Sequence, residues 1–227
     1  MSSKFFNNNS GNTILDKQDG IDSEMVSFET DTNNIINDLQ NMCNSVLVLY
    51  DAHAKDNQEL KKLANLAYYL LWNYSKSMIE LQMLLNASLP CEKDFAKGQL
   101  CITINECLKH VIGFETNQRK NSLWVKDMGE YILKQPEMKK QYSLIKDGLS
   151  LYADSFEKDC SLQEIRKLAT HGDKEIDNLM KIRNLSHSEV FRYLTGWEKS
   201  LTPAANFAFS CFENECQQEI NKRKLYI

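Results

Sequence analysis

Apolar residues recur along this chain at three- and four-residue intervals, the period of one face of an α-helix. Ile35, Leu39, Met42, Val46 and Leu49 form such a stripe and predict a first helix from about Asp31 to Ala54. A second is predicted from about Gln58 to Asn86; its centre, Ala67-Tyr68-Tyr69-Leu70-Leu71-Trp72, is apolar nearly all round, as in a heavily covered central helix. Pro90 should break the chain. Further helices are predicted at about 93–114, 122–134 and 136–156, the last opened by Pro136 at its first position.

Capping signals mark the rest. Ser161-Leu162-Gln163-Glu164 reads as a capping box opening a helix to about Thr170, which Gly172 stops. Asp173 is placed to cap a helix through about Asn184, and Ser188 one covering 189–200. Thr202-Pro203 reads as the cap and first turn of a last helix to about Lys222. No alternating run of period two survives, and 8 Gly and 3 Pro leave little material for tight turns. The expected fold is all-α: long helices on short loops imply an up-and-down antiparallel bundle. Residues 1–28, polar and rich in Asn, are expected to be a disordered arm, and residues 29–227 the helical domain.

Composition changes this picture little. The chain is 42% hydrophobic and 26% charged, a globular balance. A net charge of -4 offers no global basic field, so any nucleic-acid contact would need a local cleft. Seven Cys occur, none spaced as CxxC and none with zinc-finger spacing; they read as reduced core thiols of a cytoplasmic protein. The N-terminus lacks the apolar core of a signal peptide, and no stretch approaches the ~18 apolar residues of a membrane span. No phosphate-cradling glycine motif and no HExxH occur. Glu106 and His110, at i and i+4, could share a metal but lack partners. No metal or cofactor is expected.

One segment carries candidate chemistry: Ile165-Arg166-Lys167-Leu168-Ala169-Thr170-His171-Gly172-Asp173. A permanently charged guanidinium suits phosphate, and an imidazole exchanges protons near neutral pH. Together they could cleave RNA without metal, His171 moving the proton and Arg166 stabilising phosphate charge. Five residues of ideal helix rotate about 500°, so the pair converges only if the helix ends at His171, and a two-fold axis would supply a fuller site. Lys167 and Asp173 are secondary candidates, for phosphate contact and for orienting the imidazole.

This stretch resembles the HEPN superfamily, whose hallmark is Arg, four to six residues, then His, often as R-N-x-x-x-H-G-D; here it reads R-K-L-A-T-H-G-D. The resemblance covers roughly residues 30–220. It implies a helical bundle, a homodimer, and a composite metal-independent ribonuclease site acting on RNA. It also implies a place in toxin–antitoxin or phage-defence systems, with a cognate antitoxin or regulatory protein as partner. Lys167 departs from the usual Asn, Asp or His, which bears on catalysis more than on fold. An alternative pair, Arg183 and His187 in Arg183-Asn184-Leu185-Ser186-His187, has the Asn but only three intervening residues; at i and i+4 the two would share a helix face. The competing reading of both pairs is structural: an Arg meeting solvent or the last carbonyls, and a His complementing the helix dipole. It goes with a different function, a non-catalytic helical interaction or regulatory module.

Overall fold

The computed structural model describes residues 12–159, Glu164, Lys167 and 176–224. These are about 90% helical and contain no strand. The helices are α1 (Asn12–Leu49), α2 (Gln58–Asn86), α3 (Pro90–Val111), α4 (Thr116–Lys120), α5 (Gly129–Ile132), α6 (Lys139–Lys158), α7 (Ile176–Asn184) and α8 (His187–Lys224). Tyr50–Ala54 and Trp124–Met128 are wider π-helical turns, and Pro136–Met138 is a 3-10 turn.

The all-α expectation holds, and α2 has the expected bounds. Asn57 caps it: the side-chain carbonyl accepts the N–H of Glu59 at 3.0 Å and of Leu60 at 3.2 Å. Helix α3 starts at Pro90, earlier than expected, because proline at a first helical position loses nothing by its missing N–H. The Glu92 carboxylate then accepts the N–H groups of Ser88 and Leu89, both at 3.1 Å. At the other end Gly113 closes α3 with φ 74°, and an added Cβ would lie 2.7 Å from the Gln118–Arg119 backbone.

Four expectations need correction. Helix α1 begins at Asn12 rather than near Asp31. The predicted helix 122–134 is present as one continuous helical stretch over 123–132, but its first part, Trp124–Met128, is wound as a π turn that runs into α5. Ser186, not Ser188, opens α8: its hydroxyl accepts the N–H of Glu189 at 3.2 Å, and the Glu189 carboxylate accepts the Ser186 N–H at 2.9 Å. Finally, α8 runs through Pro203 without a break. Leu201, Ala204, Ala205 and Ala208 around it are fully buried, and that packing outweighs one lost backbone hydrogen bond. The Ser161 capping box lies outside the described residues, apart from its helical Glu164.

Helix α2 is the centre. It packs on α1, α3 and α8, while α6 packs mainly on α8 and α7 on α3. Leu66, Ala67, Leu70 and Leu71 are sealed. Trp197 of α8, fully buried, donates its indole N–H to Ser77 of α2 at 2.9 Å, and Ser77 donates to the Tyr74 carbonyl at 2.8 Å. Helices α1 and α2 run antiparallel, since Gln82, near the end of α2, donates to Asn33 of α1 at 2.7 Å. No helix among the described residues is long and apolar enough to cross a membrane.

Candidate functional site

Arg166, His171 and Asp173 lie outside the described residues, in the connection between α6 and α7. Lys167 is helical and exposed. The described residues bracketing this connection form a charged junction. Lys181 of α7 pairs with Glu164. Arg183, exposed in the last turn of α7, pairs with Asp94 of α3 at 3.3 Å. The Tyr193 hydroxyl, in α8, donates to Asp159, just past α6, and Arg192 stands 4.0 Å from the same carboxylate.

The alternative pair does not share a helix. Arg183 lies in the last turn of α7, which ends at Asn184, and His187 is the first residue of α8, with Leu185 and Ser186 forming the turn between them. The two residues therefore belong to separate helices, the second opened by the capping box at Ser186.

Lys97 is what fastens this junction. It is buried in α3, and its ammonium donates to the carbonyls of Arg183 at 3.3 Å and Leu185 at 2.8 Å. These carbonyls lie at the C-terminal end of α7, where cations are favoured. Burial lowers the Lys97 pKa, opposed by the nearby Asp94. The end-of-helix role considered for Arg183 thus belongs to Lys97, which the sequence did not single out.

The other candidates resolve simply. Glu106 and His110 lie 3.9 Å apart on an exposed face of α3, and no cluster of metal ligands forms among the described residues. Cys43, Cys101, Cys107, Cys211 and Cys216 are buried free thiols; burial pushes the Cys101 and Cys211 pKa values up to about 12, so these thiols are inert near neutral pH. A cleft lined by Glu59, Lys62, Asp127, Glu130 and Lys134 is satisfied internally, through the ion pairs Lys62–Glu130 at 2.6 Å and Lys134–Glu59.

The opposite situation holds where α1 and α2 meet solvent. Gln40, Cys43, Asn44 and Leu47 of α1 and Tyr68, Trp72, Ser75, Lys76 and Ile79 of α2 line an open groove. Trp72 is 54% exposed and stacks on Tyr68, ring centroids 6.2 Å apart and planes 11° from parallel. Leu47, Val48, Ile79 and Met83 are exposed beside it. Such a contiguous apolar patch marks an interaction surface more often than chance exposure. On α2 its members follow a seam, Tyr68, Trp72, Ile79 and Met83, at the four- and seven-residue spacing of a helix-packing face. That spacing is visible in the sequence, where it fits core and interface alike. No family model, curated protein or solved structure matches the chain.

Proposed function

We propose that this chain works as a non-catalytic helical interaction module, binding through the apolar face that α1 and α2 leave uncovered. Trp72 carries the reading: a large aromatic side chain, half exposed at the middle of the molecule's central helix, has the character of an interface anchor. The charged junction supports it in reverse. There Lys181, Arg183 and Arg192 each face a carboxylate, which a phosphate would have to displace.

A photo-crosslinking side chain placed at position 72, and separately at Leu133, tests this in the producing cell. Leu133 is 85% exposed but sits among charged residues such as Glu130 and Lys134. Crosslinks to protein from position 72 and not from 133 are expected. Equal yields at both, or none at 72, would defeat the reading.

A second reading is favoured by one specific observation, the Arg166-to-His171-Gly172-Asp173 segment and its likeness to the HEPN motif. Under it the chain is an up-and-down HEPN-like homodimer that cuts RNA without metal, Arg166 holding the phosphate and His171 moving the proton, in a toxin–antitoxin or defence setting. The helical fold is compatible with that, and the reduced buried thiols suit a cytoplasmic location. Purified protein would then nick single-stranded RNA in EDTA, and His171→Ala would abolish cleavage with helicity unchanged. Intact RNA with the wild type removes this reading.

A further inference from the structure

We infer that the surface covering the α1–α2 face is the same face of a second copy of this chain, so that two helical hairpins pack across a two-fold axis as a four-helix layer. The inference rests on the interaction reading above and names its partner.

Shape comes first. Helix α2 has 29 residues and α1 lies antiparallel beside it. At 1.5 Å per residue α2 is about 43 Å long, and two helices side by side are roughly 20 Å wide. The footprint approaches the ~800 Å² per partner that a stable interface needs. Two such hairpins, each with an apolar seam, form the elementary four-helix packing. Trp72 projects from the seam, and the groove beside it, between Asn44, Leu47 and Ile79, is a recess for the corresponding Trp72.

Charge decides between a like and an unlike partner. In an isologous interface every group near the axis meets its own copy, so a charged face repels itself. This face has one charge lining its groove, Lys76, and that ammonium lies 3.7 Å from the buried carboxylate of Glu80. The exposed polar residues that α1 contributes to the groove, Gln40 and Asn44, are both amides, while the exposed Asp38 of the same helix is not among the groove's lining. An amide both donates and accepts, so it can pair with an identical amide, which an ammonium or a carboxylate cannot. In a chain with 26% charged residues, a groove lined by apolar side chains, amides and a single charge is the part suited to meeting itself.

Solution mass measured by light scattering on the purified chain tests the inference. The wild type is expected at twice 26.3 kDa, dissociating on dilution. Trp72→Glu and Ile79→Glu are expected to run as single chains, each raising the dimer dissociation constant by at least about 30-fold, the effect of losing a buried anchor. Leu133→Glu should leave the dimer unchanged, and circular dichroism should show equal helicity in all four. A wild type with single-chain mass at its highest soluble concentration overturns the inference. So does a dimer indifferent to both substitutions. If a single-chain wild type still crosslinks from position 72 to another protein, the interaction reading stands and only the second copy is lost. If it crosslinks to nothing, both fall.

Discussion

The α1–α2 face and the junction of α3, α7 and α8 are opposite solutions to exposure. At the junction four described cations have partners within the chain: Arg183 has Asp94, Lys181 has Glu164, Arg192 has Asp159, and the buried Lys97 has two carbonyls. On the α1–α2 face Trp72, Leu47, Val48, Ile79 and Met83 are apolar groups left exposed by the described residues. The difference teaches that charge satisfied within the chain and apolar surface left exposed are separate signals, and the proposed interaction rests on the second.

The sharpest way to probe this contrast is to compare the two tryptophans. Trp197→Ala removes a fully buried ring and the donor to Ser77, and should cost about 3–5 kcal/mol in chemical denaturation. Trp72→Ala, in dilute protein, should change stability by no more than about 0.5 kcal/mol. A large loss at Trp72 would mean that the face belongs to the core.

Next in size is Lys97→Met, which strips the donor from two carbonyls at the end of α7. A loss of about 1–3 kcal/mol is expected, with faster hydrogen exchange confined to Ile176–Asn184 and its contact with α3. Uniform loss across the chain would show that the junction is not a separate fastening.

A smaller, pH-dependent effect belongs to Glu80. Burial raises its pKa above the ordinary 4.5, opposed in part by a hydrogen bond from Thr103 at 2.8 Å and by Lys76. The folded chain therefore holds this proton more tightly than the unfolded one. Glu80's contribution to stability is complete below pH 4.5 and declines as pH rises through the folded pKa. Glu80→Gln should flatten that decline, giving a higher melting temperature than the wild type at neutral pH and no advantage in acid. Parallel melting curves at both pH values would refute this.

Smallest of all should be Arg183→Ala. Its pair with Asp94 is exposed and worth about 0.2–1 kcal/mol at most, screened by salt. A larger, salt-insensitive loss would mark Arg183 as more than a surface partner.

Much of this fold is legible in the chain because its signals are local. Asn57 and the turn before Pro90 bracket α2 at both ends. The box that opens α8 was equally available: Glu189 stands three residues after Ser186, the spacing reciprocal capping requires, whereas Ser188 has no such partner. The π turns at Tyr50–Ala54 and Trp124–Met128 have no comparable signature. Nor does passage through Pro203, which depends on the packing of its neighbours against distant helices. Of the candidate site, the Arg166–His171 motif is visible only as spacing, while Lys97 and Trp72 acquire meaning from what surrounds them.

Periodicity and capping chemistry, both set within a few residues, were enough to settle that the chain is helical, where α2 lies, and that its middle is apolar on every side. They could not settle which side stays wet. That outcome depends on α1, α3 and α8 filling three sides of α2 and leaving Trp72 on the fourth. Burial is a property of neighbours far apart in the chain, so the same apolar pattern encodes core and interface alike until the fold assigns them.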